Sequence, residues 1–265
     1  MTASSLYALS IDAPVCRYVD LDSFTDLPSE DLLSEEERAR ADGFRFELDR
    51  QRYVASHVAL RQALSEYTGL HHAELHLSKG SFGKPSLTGH ARTQFSLSHS
   101  QGLALIAIGG RGPLGADIEL LRPVPDAAIL AAEHFTRREQ EALAALPAQE
   151  RDRAFLTCWT RKEACLKAIG VGLLVSSQSF EVGLEADCRS VELSVAGRIL
   201  WLVLGPAPAR LDCVGAIAEW RQTEARANRL GAAGSGDAGD TGGYANGQSL
   251  PPKAGAPARS MEIAP

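Results

Sequence analysis

Apolar residues recur at helical spacing in two long stretches of the chain. From Asp49 to Tyr67, the residues Tyr53, Val54, Val58, Leu60, Leu64 and Tyr67 form one stripe; this predicts a helix capped by Asp49 and ended by Gly69. From Asp152 to Ile169, Phe155, Trp159, Leu166 and Ile169 point inward, and Gly170 with Gly172 stops that helix. Ser34 with Glu37, and Thr136 with Glu139, have capping-box spacing, and the first opens a helix to about Asp42. Elsewhere the period shortens. Phe95–Ser98 alternates like a strand, Leu103–Ile108 reads as a buried strand, and the turn at 109–113 feeds a third strand, Leu114–Leu120. Further strands are expected around Ser179–Leu184, Val191–Val195, Ile199–Leu204 and Cys213–Trp220. Helices beside a mostly antiparallel sheet in each half predict an α+β class. The two halves show a similar order of elements without a close sequence repeat.

Composition breaks near the C-terminus. Residues 231–265 hold eight Gly, eight Ala and four Pro with almost no large apolar side chain, so a disordered tail is expected. The expected divisions are 1–112, 113–222 and a tail over 223–265. Hydrophobic residues make up 45% and charged residues 23%, which excludes bulk disorder. With 27 basic against 33 acidic residues, the net charge of −6 argues against nonspecific nucleic-acid binding. No apolar run reaches the roughly 20 residues of a membrane helix, and no export signal is visible at the start. The five scattered cysteines form no C-x-x-C pair and fit reduced thiols, so a cytoplasmic location is expected.

Four groups of residues are candidates for chemistry. Asp117 and Glu119 are two apart in a strand, so they share one face while Ile118 takes the other. Such a carboxylate pair suits a hydrated divalent cation, or a solvent-facing strand. Glu163 and Lys167 share a helix face, and Lys162 lies nearer the Trp159/Leu166 stripe, where it must snorkel or find an anion. Ser96, Ser98, His99 and Ser100 form a polar cluster between two strands, suited to satisfying a turn or to gripping a phosphate. Adjacent Ser and His residues in a strand rarely give a nucleophile–base geometry, and no G-x-S-x-G elbow is present. Gly83-Lys84-Pro85 fixes a lysine in an extended loop but lacks P-loop spacing, and Arg50 and Arg52 open a helix.

Taken in order, the blocks Asp49-x-x-Arg52, Gly83-Lys84-Pro85, Ser98-His99-Ser100, Gly115-x-Asp117-Ile118-Glu119, Phe135-x-x-x-Glu139 and Trp159-x-x-Lys162-Glu163-x-x-x-Lys167, then Gly170-x-Gly172-Leu173, carry a resemblance. Over about residues 34–184 the chain resembles the larger, surfactin-synthetase-activating phosphopantetheinyl transferases. That resemblance implies two pseudo-symmetric α+β halves with the active site in the cleft between them. It implies transfer of the 4′-phosphopantetheine arm of coenzyme A to a serine of an apo acyl or peptidyl carrier protein, releasing adenosine 3′,5′-bisphosphate. Asp117, Glu119 and Glu163 would hold Mg²⁺ (or Mn²⁺). Lys162 and Lys167 would face the pyrophosphate. Arg52, Lys84 with Pro85, and His99 would hold the 3′-phosphate and adenine side, with Ser98 and Ser100 as further donors. Glu163, kept ionised by two lysines, is the candidate base, with a metal-bound water as its rival; Glu163 and Lys167 are thus the implied catalytic pair. A monomer is implied, since the short type with one half per chain must trimerise. The loop Leu173–Ser177 departs from the family pattern in lacking a proline. A non-catalytic coenzyme-A-binding protein and a metal-dependent phosphohydrolase share this inventory of residues.

Overall fold

The structure is a computed structural model that describes residues 14–23, 30–80, 82–170 and 175–221. The segment expected to be a disordered tail, and the loop carrying Gly172 and Leu173, lie outside the described residues.

Before the turn at 109–113, strands β1 (Val15–Asp20), β4 (Phe95–Ser100) and β5 (Leu103–Ile108) form an antiparallel sheet in the order β1-β5-β4. Between β1 and β4 come α1 (Glu35–Asp42), α2 (Glu47–Thr68) and the small hairpin of β2 (Leu77–Lys79) and β3 (Pro85–Leu87). After the turn, β6 (Leu114–Leu120) joins β7 (Arg189–Val195), β8 (Arg198–Pro206) and β9 (Cys213–Arg221) in the antiparallel order β6-β9-β8-β7. Helices α3 (Ala127–His134), α4 (Arg137–Ala145) and α5 (Ala148–Ile169) separate β6 from β7. The fold is α+β in two halves.

Strand β5 explains how the halves join. Its side chains are buried on both faces, which a continuous apolar run requires. Ala104, Ile106 and Ile108 face the core under α2, with Ala55, Ala59 and Leu64. Leu103, Leu105 and Ala107 face the other way, into a second core with Leu114, Ala116 and Ile118 of β6 and Cys213 and Ile217 of β9. Ile118 thus faces inward, as the alternation predicts. The remaining large core packs α5 against β7–β9, with Phe155 stacked between Phe135 and Trp159.

Both capping boxes are present: Ser34 accepts from Glu37 N and Thr136 from Glu139 N, each answered by the glutamate. Helix α2 starts at Glu47, two residues before Asp49, behind Phe46, which makes no side-chain cap bond; Asp49 sits in the first turn, where the helix dipole favours an acid. It ends on Gly69 at φ 75°, the left-handed conformation glycine adopts without cost. Helix α5 starts at Ala148, ahead of the expected Asp152, because its polar first turn adds nothing to the apolar stripe. The expected strand at Ser179–Leu184 is absent. Its backbone is taken by buried side chains: Val182 and Gly183 N donate to Glu139, while the carbonyls of Phe180 and Val182 accept from Lys162 and Arg161. No helix among the described residues is long and apolar enough to cross a membrane, and all five cysteines are free thiols.

Candidate functional site

The candidate site forms where α5 crosses β6 beside the edge of β4. Gly115 permits that crossing. A methyl group there would collide with the Ala164 carbonyl and the Ala168 nitrogen of α5, so only glycine lets the helix lie this close to the strand. The face of β6 that carries Gly115 also carries Asp117 and Glu119, and the last two turns of α5 carry Glu163 and Lys167. Close packing at the glycine therefore brings Lys167 onto Asp117 and sets Glu163 near enough to feel the charges of Asp117, Glu119 and Lys167.

Lys167 Nζ lies 2.6 Å from Asp117 Oδ1 and also donates to Ser98 Oγ at 3.0 Å. Ser98 Oγ donates in turn to Asp117 Oδ1 at 2.7 Å, and Ser100 Oγ donates to Glu119 Oε2 at 2.6 Å. Arg122, which sequence reasoning missed, lies 3.7 Å from Glu119; its only signal is the i, i+3 spacing. Burial, reinforced by Asp117 and Glu119 and opposed by Lys167, pushes the Glu163 carboxyl up to about 7. Burial likewise raises Glu119, against the hydrogen bond from Ser100. Burial alone would depress Lys167, but Asp117, Glu163 and Glu119 outweigh it and hold the ammonium above its ordinary value. The cluster is thus short of positive charge.

The structure corrects two expectations. Lys162 does not face the cleft. It is 2% exposed, ion-paired at 2.8 Å with Glu139, and donates to the carbonyls of Ser177 and Phe180 at 2.8 and 2.7 Å. A buried ammonium needs such partners, and three acceptors leave it nothing for a phosphate. Consequently Glu163 is not kept ionised by two lysines: Lys162 is occupied elsewhere, and burial wins over Lys167 alone. Glu139 closes the cap that its spacing announces and does more besides. It closes the α4 cap and braces the core; burial opposes its ionisation, yet Lys162 and the N–H donors hold its pKa below the usual range.

The other expected residues are spread along the joint. Lys84, preceding β3, reaches from the first half to the end of α5 and donates to the Ala168 carbonyl at 2.7 Å; burial lowers it to about 8. Pro85 pairs with Lys79 in the small hairpin. His99 is exposed on β4, close enough to the half-buried His57 to oppose its protonation, which burial already disfavours. Arg52 is held by Asp22 through two bonds of 2.7 and 2.8 Å, a partner no local spacing announces.

A metal ion is a fair test of this donor set. Among the described residues no three side chains already converge as a ready cage. Mg²⁺ needs no such cage: it keeps several waters and is held by one or two carboxylates together with substrate phosphates. Oxygen ligands from Asp117, Glu119 and Glu163, with excess negative charge and two raised carboxyls, fit that mode of binding.

The structure thus has two α+β halves in one chain, with acidic oxygens and a lysine at their seam. The comparisons agree. Residues 113–197 match the family model described as the 4′-phosphopantetheinyl transferase superfamily, and residues 27–109 match the model of a 4′-phosphopantetheinyl transferase N-terminal region. The chain is 34% identical over 216 residues to 4′-phosphopantetheinyl transferase HetI of Nostoc sp., covering 80% of this chain and 86% of the relative. It is 32% identical to 4′-phosphopantetheinyl transferase ffp of Bacillus subtilis and 29% to Sfp of Bacillus subtilis strain 168, in each case over 61% of this chain and 71% of the relative. The chain belongs to the 4′-phosphopantetheinyl transferase family, in its larger, Sfp-like type, and is a transferase.

Proposed function

We propose that the seam between β4, β6 and α5 moves the 4′-phosphopantetheine arm of coenzyme A onto a serine of an apo carrier protein. The observation that carries this reading is the convergence of Asp117, Glu119, Glu163 and Lys167 with hydroxyls from the other half, in a chain whose family performs that transfer. The serine oxygen forms a bond to the β-phosphorus of the coenzyme, and the bond to the bridging oxygen breaks to release adenosine 3′,5′-bisphosphate. Charge grows on that leaving group, so groups that meet it with positive charge lower the barrier.

Asp117, Glu119 and Glu163 would hold Mg²⁺, which when bound would supply Lewis-acid neutralisation of developing negative charge. Lys167 is placed to add a second positive charge from the end of α5. Lys84 and His99 supply donors along the joint for the 3′-phosphate and adenine side, and Arg52 adds one if it leaves or shares Asp22. Glu163 accepts the proton of the attacking serine. Before a metal binds, burial and the neighbouring carboxylates hold its carboxyl up to about 7, so a proton and a cation compete for the same oxygens. Held metal-free it takes a proton as the pH falls through about 7.

Glu163→Gln tests the assignment. The amide keeps an oxygen for the metal but takes no proton, so the transfer rate at saturating Mg²⁺ is expected to fall by about 10²–10⁴-fold. Full restoration of the rate by excess Mg²⁺ would reduce Glu163 to a ligand. Binding of coenzyme A without transfer by the unmodified chain would favour a non-catalytic binder, and its hydrolysis without a carrier a phosphohydrolase.

A further inference from the structure

Strands β4 and β6 are both edge strands, one from each half, and they meet without joining into one sheet. Edge strands carry backbone N–H and C=O groups that need partners. Here serine hydroxyls supply them. Ala116 N donates to Ser96 Oγ at 2.9 Å and Leu120 N donates to Ser100 Oγ at 3.2 Å. Ser96, Ser98 and Ser100 alternate with Leu97 and His99, so all three hydroxyls lie on one side of β4, and all three serines are buried. Two of them also reach the carboxylates. Ser98 Oγ accepts from Lys167 Nζ and donates to Asp117 Oδ1, which Lys167 also bonds directly, and Ser100 Oγ relays from Leu120 N to Glu119 Oε2. Every donor capacity of the Ser98 and Ser100 hydroxyls is spent on a carboxylate, which leaves no proton to offer a phosphate.

We propose that Ser98 and Ser100 are positioning residues: from the first half of the chain they orient the Asp117 and Glu119 carboxylates of the second, and they do not grip coenzyme A phosphates. Ser96 is the first rung of the same ladder and bonds only the backbone. The inference rests on the reading of the seam as a metal-assisted transfer site. It makes the metal site a product of both halves, although its ligands all come from one.

Two titrations separate the roles. Coenzyme A binding is measured by calorimetry in EDTA, and Mn²⁺ binding to the protein–coenzyme A complex by electron paramagnetic resonance, with no carrier present. For Ser98→Ala and Ser100→Ala, coenzyme A affinity without metal should stay as in the unmodified chain. Mn²⁺ affinity should drop by about 10–100-fold, the usual loss when a hydrogen-bond partner of a ligating carboxylate is removed. Ser100→Thr keeps the hydroxyl and should retain Mn²⁺ affinity; should Ser100→Ala not fold, Ser98→Ala and Ser100→Thr carry the comparison. Weaker coenzyme A binding in EDTA with Mn²⁺ affinity intact would overturn the proposal and return the serines to the phosphates. No change in either titration would overturn it as well. Failure of the unmodified chain to bind Mn²⁺ in the presence of coenzyme A would instead strike the transfer-site reading on which the inference stands.

Discussion

Lys162 and Lys167 stand five positions apart on α5 and meet opposite surroundings. Lys167 ends among three carboxylates at the seam, and Lys162 ends in the core on Glu139 and two carbonyls. The sequence placed Lys162 near the apolar stripe, where it must snorkel or find an anion; it finds Glu139, 23 positions earlier, which helical spacing alone does not reveal. Removing one partner of a buried pair leaves the other uncompensated. Lys162→Met is therefore expected to cost about 3–5 kcal/mol of stability in urea unfolding, with the KM for coenzyme A of the folded protein unchanged. Unaltered stability with a raised KM would put Lys162 back in the binding site.

At the scale of elements, the caps and the long apolar patterns were legible because each is a local signal. Ser34/Glu37, Thr136/Glu139, Leu103–Ile108 and Leu114–Leu120 all stand where spacing alone put them. Elements governed by distant partners were not. β1 is a half-buried edge strand whose register is set by β5, and the stretch 179–184 stays irregular because Glu139, Arg161 and Lys162 claim its backbone. The site shows the same division. Asp117, Glu119, Glu163 and Lys167 were legible as pairs, while their meeting depends on Gly115 admitting α5 against β6. Gly115→Ala is expected to destabilise the chain by about 1–3 kcal/mol, as overpacking does, and to abolish most transfer by displacing the end of α5. Comparing thermal melts with transfer rates checks it; a variant with full rate would mean the crossing tolerates a methyl group.

Across the whole molecule, the halves are tied at several points. They share the core of Leu103, Leu105 and Ala107 with Leu114, Ala116 and Ile118, and Lys84 bonds the end of α5. Tyr18 of β1 donates to the Pro208 carbonyl at 2.6 Å, and Glu219 of β9 accepts from Gly112 N at 2.9 Å in the connecting turn. A shared core couples unfolding, so calorimetry should show one transition with equal calorimetric and van't Hoff enthalpies; two resolved transitions would mean the halves melt separately.

Asp117 lies at the centre of this arrangement, touched by Ser98 from one half and Lys167 from the other. The most direct test is the mass of an apo carrier protein after incubation with coenzyme A and Mg²⁺, using the unmodified chain and Asp117→Ala. The unmodified chain should add one phosphopantetheine arm to the carrier, and Asp117→Ala should leave the carrier at its apo mass while remaining folded by circular dichroism. A carrier fully converted by Asp117→Ala, or left unmodified by the unmodified chain, would contradict the account.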